Sequence, residues 1–285
     1  MRTNLRLALS LLTIACLSLA AHAAELKVPA TVRAGAGLSI PTEGSGETTL
    51  YVVGPGTAIK RKVQLGQDIQ LTGDDLQNAG RYLISLENGD SATLIVTAGD
   101  VNSIAFLARP SRVPADTPGV ISGTAFVFDR YQNLVTQPEP VKFELSVNGQ
   151  SVSRMETTKW GIASAKLDSS KREGAAQFVA SSGAASTRRV VQEVASDPCN
   201  LRMHSERDKN GILVQTDPIH DCAGNSVPDG TIVTFTLTDS TGKSTVDARI
   251  KRGFAQAELP ASANGTISVA SGVVVGNEIH WGGGE

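Results

Sequence analysis

The chain of 285 residues predicts an all-β protein built from tandem β-sandwiches. Apolar and polar residues alternate in many short runs, of which 141–147 and 233–238 are the clearest. Such alternation places one side of a strand in a core and the other in water. Asn-Gly and Asp-Gly pairs, which favour the positive φ of tight hairpins, separate the runs. No stretch of a dozen residues shows the 3.6-residue period of an amphipathic helix.

Composition narrows the class of protein. Hydrophobic residues make up 40% of the chain, charged residues 19% and aromatic residues 4%, which excludes a collagen and a charge-driven disordered chain. The net charge is −2, and it is −4 (24 basic against 28 acidic residues) once the first 24 residues are set aside. Because nucleic-acid binders normally carry a basic excess or a basic face, we expect no nucleic-acid partner.

Residues 1–24 predict a secretory signal peptide. Arg2 and Arg6 form a positive start, an apolar stretch runs from 7 to about 21, and a small-x-small motif at 21–23 predicts cleavage after Ala23 or Ala24. Two alternatives stay open, a lipoprotein acylated at Cys16 and a membrane anchor, although the apolar run is shorter than the roughly 20 residues of a span. We expect an exported protein that is periplasmic, secreted or at the cell surface, with no transmembrane span in the mature chain.

Removal of the signal peptide leaves two cysteines, Cys199 and Cys222. An even pair in an oxidising compartment most simply forms one disulfide. A loop of this length, when closed, stabilises a chain by about 3 kcal/mol in the chain-entropy model. The alternative is a zinc site completed by His204 and His220, but ligand pairs in zinc sites normally lie about two to five residues apart.

An internal repeat organises the second part of the chain. Asp129 and Asn133 recur as Asp221 and Asn225 after a shift of 92 residues, and the shift persists without a gap. The positions that match after this pentapeptide are Val135 with Val227, Val141 with Val233, Phe143 with Phe235, Leu145 with Leu237, Gly161 with Gly253, Ala163 with Ala255, Ala165 with Ala257 and Leu167 with Leu259. Two copies of one β-sandwich unit are therefore expected.

The motifs of this repeat resemble those of a known family. An Asp-x-x-Gly-Asn-x-Val turn at 221–227, an alternating Val-x-Phe-x-Leu strand and a Gly-x-Ala-x-Ala-x-Leu strand are similar to the bacterial Ig-like domains of the intimin/invasin type. The copy at 129–135 has Gln132 where the pattern has glycine. The resemblance covers most of residues 100–285. It implies an Ig-like fold and a use in adhesion or scaffolding, and it carries over no catalytic residues.

Residues 25–98 lie outside the repeat but also predict strands. Alternating or apolar runs occur at 50–53, 61–65, 69–71, 82–86 and 93–96. The segment from Asn78 to Tyr82 resembles the turn that leads into a tyrosine corner, in which the hydroxyl bonds back to an upstream backbone group. We therefore expect three Ig-like β-sandwiches, at 25–98, 99–196 and 197–285, the last with the disulfide.

Motifs for catalysis are absent from the sequence. It has no Gly-x-Ser-x-Gly elbow, no His-Glu-x-x-His and no phosphate-binding glycine loop, so we expect no catalytic residues and no enzyme, with a hidden Ser-His-Asp hydrolase as the alternative. Calcium is the cofactor alternative, because acidic turns bind it in many extracellular modules. Asp197, Asp217, Asp221 and Asp229 are dispersed, however, and turn capping accounts for each. The expectation is therefore no metal and no cofactor.

Two aromatic residues are the candidate binding residues. Trp160 aligns with Arg252 in the other copy of the repeat, so it is not a repeated core residue. An exposed tryptophan stacks on sugars or anchors a protein interface, whereas the alternative is a residue that packs locally at the rim. Tyr131 lies within the Asp/Asn turn and is the second candidate surface aromatic.

The sequence thus predicts an exported, non-enzymatic structural or binding module of tandem Ig-like domains at the cell envelope. Its expected partners are an envelope protein or a polysaccharide. A carbohydrate-binding accessory protein that uses Trp160 and Tyr131 is one alternative. A subunit of a surface filament, assembled through exposed strand edges, is another.

Overall fold

The computed structural model describes residues 26–87 and 89–282, which form β-strands, turns and a short 3-10 helix at Gly73–Leu76. The predicted signal peptide, with its cleavage at Ala23 or Ala24 and the alternative at Cys16, lies outside the described residues. No helix in the described part is long and apolar enough to cross a membrane. The chain divides into two compact units, one of residues up to 103 with 127–138, the other of 104–126 with 139–285. The predicted sandwich boundaries remain a prediction.

The first sandwich contains the runs predicted between 25 and 98. Its strands are β1 (Thr31–Arg33), β2 (Leu38–Ile40), β3 (Glu47–Gly54), β4 (Thr57–Gln64), β5 (Ile69–Leu71), β6 (Gly80–Leu86) and β7 (Ser91–Thr97). One sheet has the order β1-β7-β6-β3-β4, and β2 pairs with β5. All pairs are antiparallel except β1 with β7. Its core is aliphatic apart from Tyr82, which is fully buried.

The tyrosine corner that the sequence predicts is present. The Tyr82 hydroxyl donates a hydrogen bond to the carbonyl oxygen of Asn78, 3.0 Å away. The Asn78 side chain in turn donates to the carbonyl oxygen of Pro55. Both bonds fix the segment that precedes β6.

The second sandwich follows the first in the chain. Its strands are β8 (Ser103–Arg109), β9 (Arg112–Pro114), β10 (Ile121–Phe128), β11 (Pro140–Val147), β12 (Gln150–Thr157), β13 (Ile162–Leu167), β14 (Gly174–Ser182) and β15 (Ala185–Val194). They form the sheets β13-β10-β8 and β12-β11-β14-β15-β9. The rings of Phe106 and Phe178 meet edge to face in its core, with their centroids 4.9 Å apart. Gly123 makes room for them, because a Cβ there would lie 2.7 Å from Phe178.

The third sandwich repeats the pattern of the second. Its strands are β16 (Pro198–Cys199), β17 (Met203–Arg207), β18 (Gly211–Thr216), β19 (His220–Asp221), β20 (Ile232–Asp239), β21 (Gly242–Arg249), β22 (Gln256–Pro260), β23 (Gly265–Ser271) and β24 (Val274–Trp281). They form the sheets β16-β19, β17-β18-β22 and β21-β20-β23-β24. Phe235 and Leu237 are buried, as are their counterparts Phe143 and Leu145. The repeat in the sequence is therefore a repeat of strands and core positions.

Candidate functional site

Trp160 occupies a tight turn between β12 and β13. Trp160 (φ +54°) and Gly161 (φ +78°) are its two central residues, and Lys159 and Ile162 exchange backbone hydrogen bonds of 2.8 and 3.1 Å across it. Two central residues with positive φ define a type I′ turn, which favours Asn, Asp or Gly. The side chain is 78% exposed. Trp160 therefore extends from the tip of a turn whose geometry disfavours it.

The third sandwich has the same turn with a different residue. Arg252 (φ +54°) and Gly253 (φ +85°) stand at its centre, flanked by the bridge between Lys251 and Phe254. The structure thus bears out the alignment of Trp160 with Arg252. A bulky residue with positive φ is costly, and the equivalent turn of the third sandwich forms with an arginine in its place. The fold therefore does not explain Trp160.

Tyr131 is placed differently from Trp160. Its side chain is half-buried and packs against the core of the first sandwich. It lies over Gly35, where a Cβ would come within 2.0 Å of the tyrosine hydroxyl. The guanidinium carbon of Arg130 lies 4.7 Å from the centroid of the Tyr131 ring. Tyr131 therefore packs within the first sandwich, and it belongs to a different compact unit from Trp160.

Asp129 and Asn133 form a hydrogen-bonded loop after β10, which we call the first Asp/Asn loop. Asp129 is fully buried, and its Oδ1 accepts from the backbone N–H groups of Tyr131 and Asn133 at 2.8 and 2.9 Å. Its Oδ2 accepts from the N–H of Gly99 at 2.8 Å and from the Asn133 side chain at 2.9 Å. The aspartate therefore closes its own turn and also binds the chain that follows β7.

The side chain of Asn133 reaches the first sandwich. Its Nδ2 donates to the carbonyl oxygen of Gln77 at 2.7 Å, and its Oδ1 accepts from the N–H of Ala79 at 2.8 Å. The amide thus pairs with one acceptor and one donor of the segment before β6, as a neighbouring strand would. Residues 127–138 accordingly belong to the same compact unit as the first sandwich.

Asp221 and Asn225 form the second Asp/Asn loop, and they bond to the same kinds of backbone group as Asp129 and Asn133 do. Oδ1 of Asp221 accepts from the N–H groups of Ala223 and Asn225 at 2.9 and 2.8 Å, and Oδ2 accepts from Ser196 N–H and the Asn225 side chain at 3.1 and 2.8 Å. Asn225 Nδ2 donates to the carbonyl oxygen of Lys171 at 2.8 Å. Its Oδ1 accepts from the N–H of Glu173 at 3.2 Å. This loop of the third sandwich is thereby bound to the segment that precedes β14 of the second.

The environment of both aspartates favours their charged form. Burial works to raise the pKa of Asp129, but hydrogen bonds from the Asn133 side chain and from backbone N–H groups outweigh it and hold the pKa below the ordinary 3.8. Burial likewise works to raise the pKa of Asp221, and the bonds from Asn225, Ser196 and Ala223 lower it overall. Both loops are therefore built around ionised carboxylates at neutral pH.

The two segments that receive the asparagines are supported by different side chains. The segment at 77–79 is fixed by the tyrosine corner. The segment at 171–173 follows Ser170, whose N–H and hydroxyl both bond to Oε2 of Glu193, while the hydroxyl also bonds to the carbonyl oxygen of Arg172. Glu193 is fully buried, and its Oε1 has no hydrogen-bond partner in the described residues. Sequence reasoning missed Glu193, because only its burial distinguishes it from an ordinary strand glutamate.

The disulfide that the sequence predicts is present between Cys199 and Cys222, whose Cα atoms are 4.9 Å apart. Cys199 lies on β16, which pairs with β19, and Cys222 directly follows Asp221. The bridge therefore joins the start of the third sandwich to the second Asp/Asn loop. The zinc alternative is overturned, because both sulfur atoms are consumed in the bond.

No described set of three or more His, Cys, Asp or Glu residues is placed to hold a metal ion. An open cavity of about 350 Å³ lies in the second sandwich, beside the buried Leu145 and Val147 and the loop residues Asp116, Asp168 and Ser169. It contains no histidine or cysteine among its lining residues. His204 lies 3.8 Å from Asp217 on the exposed surface of the third sandwich. These positions identify no catalytic group.

Solved structures share this architecture, although sequence comparisons find no relative. No family model matches the sequence, and no curated protein matches it. Among solved structures the chain is similar to FdeC, a broadly conserved Escherichia coli adhesin, with a TM-score of 0.58 and 16% identity over 87% of this chain and 90% of that one. It is also similar to invasin, a bacterial integrin-binding protein (TM-score 0.47, 14% identity, 88% and 57% covered), and to InvD of Yersinia pseudotuberculosis (TM-score 0.47, 12% identity, 90% and 96% covered).

At such low identities the likeness concerns the fold alone, and the match to FdeC carries it. It agrees with the all-β sheets of the described residues. The chain has the fold of tandem Ig-like β-sandwiches.

Proposed function

We propose that this protein is an exported, non-enzymatic binding module of the adhesion type, and that its affinity for an envelope partner is centred on Trp160. The observation that carries the proposal is a tryptophan that is 78% exposed at a positive-φ position of a tight turn. Large aromatic side chains are the residues most often responsible for affinity at protein interfaces. A rigid sandwich that presents such a residue on a short turn loses little entropy on binding.

The fold and the disulfide support an extracytoplasmic setting. FdeC, which shares the fold, is an adhesin, and Ig-like sandwiches expose loops and turns on which binding residues vary. The bridge between Cys199 and Cys222 is stable in an oxidising compartment and rare in a reducing one. Both features agree with the export signal that residues 1–24 predict.

A carbohydrate partner is the second candidate, and Trp160 again favours it. An indole ring that is open to solvent can stack on the face of a sugar. Tyr131 supports such a site less than Trp160 does, because its half-buried ring is packed over Gly35. A single aromatic platform fits the end or one residue of a polysaccharide rather than an extended chain.

Assembly into a filament by strand addition has less support from the strand edges. The edge strand β4 carries three consecutive cations, at 60–62. The edge strand β12 carries Arg154 and Glu156 opposite core positions of β11, where they form an ion pair of 2.8 Å. Charges on an edge, above all on its inward side, discourage pairing with a further strand.

The test compares binding of the mature chain and of Trp160→Asn to isolated bacterial envelopes, before and after protease treatment of those envelopes. Asparagine is favoured at positive φ, so this variant should fold at least as stably as the parent. Arg252→Asn makes the same change in the equivalent turn of the third sandwich and is the matched control. We expect Trp160→Asn to weaken the binding by at least about tenfold in affinity, and Arg252→Asn to bind as the parent does.

The protease arm separates the two candidates. Trp160-dependent binding that disappears after protease treatment supports a protein partner. Trp160-dependent binding that survives supports a polysaccharide. Equal binding by the parent and by Trp160→Asn contradicts the proposal.

A further inference from the structure

The sheet of the first sandwich has an apolar outer surface. Val53 on β3 stands directly opposite Leu83 on β6, and their side chains are 54% and 50% exposed. Their sequence neighbours Val52 and Ile84 are fully buried. Since residues alternate between the two faces of a strand, Val53 and Leu83 lie side by side on the face turned away from the core.

Two further side chains extend this apolar surface. Tyr51 lies two residues before Val53 on β3, and Ile95 on β7 stands opposite Arg81 on β6. Both Tyr51 and Ile95 are half-buried. The four side chains form what we call the Val53–Leu83 face. Contiguous exposed apolar surface on a folded domain commonly marks an interaction site.

Cations flank the Val53–Leu83 face. Lys60 on β4 stands opposite Tyr51, and its ammonium lies 5.6 Å from the centroid of the tyrosine ring. Arg81 lies beside Ile95 on the other side. Neither forms an ion pair with a described residue, whereas nearby Lys62 pairs with Glu47 at 3.6 Å. Two uncompensated positive charges therefore adjoin the apolar surface of a chain whose net charge is negative.

The corresponding face of the third sandwich shows that the fold does not need this surface. There Thr236 on β20 stands opposite Ser268 on β23 and Thr245 on β21. The hydroxyls of Thr236 and Thr245 lie 3.3 Å apart, and Thr234 donates to Asp247 at 2.6 Å. The same architecture forms with hydroxyl-bearing residues at the centre of this face, so the fold does not require the apolar pair Val53 and Leu83.

We infer that the Val53–Leu83 face is a docking surface for an acidic protein segment that also presents apolar side chains. Aliphatic side chains at the centre favour apolar protein groups over sugars, which stack on aromatic rings. The flanking cations Lys60 and Arg81 select carboxylates by charge complementarity and speed association. This site is separate from Trp160 and goes beyond the binding proposed there.

The test selects ligands from a display library of random short peptides on the whole chain, with Leu83→Asp as the counter-selection. We expect selected peptides to combine Asp or Glu with apolar residues and to bind less tightly as salt is raised. Leu83→Asp and the double variant Lys60→Glu with Arg81→Glu should each weaken binding by about tenfold or more. Thr236→Asp, on the equivalent face of the third sandwich, is the matched control and should bind as the parent does.

A second variant guards against a folding defect. Val53→Thr with Leu83→Thr replaces the apolar pair by strand-forming residues of the kind found in the third sandwich, and it should also lose the peptides. Peptides without acidic residues, or equal binding to the parent and the threonine variant, overturn the proposal.

Two parallel measurements address other occupants. Binding to phosphatidylglycerol vesicles that requires Leu83, without peptide binding, overturns it in favour of a lipid surface. Self-association in sedimentation velocity that Leu83→Asp abolishes, again without peptide binding, overturns it in favour of a second copy.

Discussion

The two Asp/Asn loops make the same kinds of hydrogen bond, but different side chains hold the segments to which their asparagines bind. In each, the aspartate binds two N–H groups of its own turn and one of the preceding chain, and the asparagine binds a carbonyl and an N–H of a segment some 50 residues earlier. The first receiving segment is fixed by a tyrosine corner. The second is fixed by the buried Glu193 through Ser170, and its loop is also joined by a disulfide.

The Asp/Asn motif itself and the side chains that support the segment it binds are therefore independent features. The aspartate and the asparagine that both loops share determine the hydrogen bonds, because a carboxylate and a primary amide offer the required acceptors and donors. The receiving segments present only backbone groups to the asparagine. Different side chains can therefore position those backbone groups. In this chain a tyrosine corner holds one segment and the buried Glu193 holds the other.

The largest expected difference concerns the disulfide. Reduction, or replacement of both Cys199 and Cys222 by serine, should destabilise the third sandwich by about 3 kcal/mol in the chain-entropy model. The first Asp/Asn loop has no cysteine and should keep its stability. Hydrogen exchange at the N–H groups of Asn225 and Asn133 measures the two loops separately. Equal acceleration at both sites would contradict this assignment.

Loss of the carboxylate should affect both loops alike. Asp129→Ala and Asp221→Ala each remove the acceptor for three backbone N–H groups and one side-chain amide. Asp221 also accepts from the Ser196 hydroxyl at 3.3 Å. Each variant should cost about 2 to 3 kcal/mol. Denaturant titrations followed by hydrogen exchange give the two values. Asp208→Ala, which removes an exposed aspartate bonded to one neighbouring N–H, is the control and should cost far less. If the two variants differ by more than about 1 kcal/mol in free energy of unfolding, the contacts around each loop contribute unequally to its stability.

Acid should loosen both loops in the same pH range. The pKa values of Asp129 and Asp221 are lowered in the folded protein, so their contribution is fully present above the unfolded value near 3.8 and is lost as the pH falls through the folded pKa. The chemical shifts of the Asn133 and Asn225 amide protons, which bond to these carboxylates, should follow the titration.

A cross-comparison isolates each titration. Asp221→Asn should abolish the acid transition at Asn225 and leave that at Asn133 in place. If both amide protons shift at the ordinary pKa of an aspartate, the hydrogen bonds do not stabilise the ionised form.

The side chains that support each receiving segment should affect the stability of that segment only. Tyr82→Phe keeps the buried ring but removes the bond to Asn78, and it should cost about 1 kcal/mol and accelerate exchange at the Ala79 N–H. Ser170→Ala removes the hydroxyl bonded to Glu193 and should act in the same way on the Glu173 N–H. Each variant should leave the other segment unchanged. Tyr51→Phe, on an outward-facing position, controls for loss of a phenol hydroxyl elsewhere in the first sandwich.

The sequence predicted the features that short patterns encode. Alternating runs located the strands, the repeat aligned the turn of Trp160 with that of Arg252, and two cysteines predicted one bridge. The Asp/Asn pentapeptide predicts a capped turn, which is correct but incomplete. That Asn133 and Asn225 bind distant backbone depends on how sandwich segments approach each other, and no local pattern records this.

Two residues show why side-chain environment escaped prediction. The residues next to Tyr131 in the sequence are typical of a surface turn. Its ring is half-buried because Gly35, nearly 100 residues earlier, has no Cβ and leaves space for it. Glu193 alternates like any strand residue, although its carboxylate is fully buried. In both cases the decisive neighbour is remote in sequence.

The smallest expected effect comes from exchanging one residue between the loops. Gln132 has a φ of +65° where Gly224 has +83°, so the first loop places a side chain in the left-handed region that glycine occupies at low cost. Gln132→Gly should therefore stabilise the first loop by up to about 1 kcal/mol, and Gly224→Gln should destabilise the second by a similar amount. No heavy atom lies within 4 Å of a Cβ at Gly224, so the effect there is conformational rather than steric. Thermal unfolding of both variants and of the double exchange measures it, and opposite signs of similar size would show that the two loops differ at this position only in backbone strain.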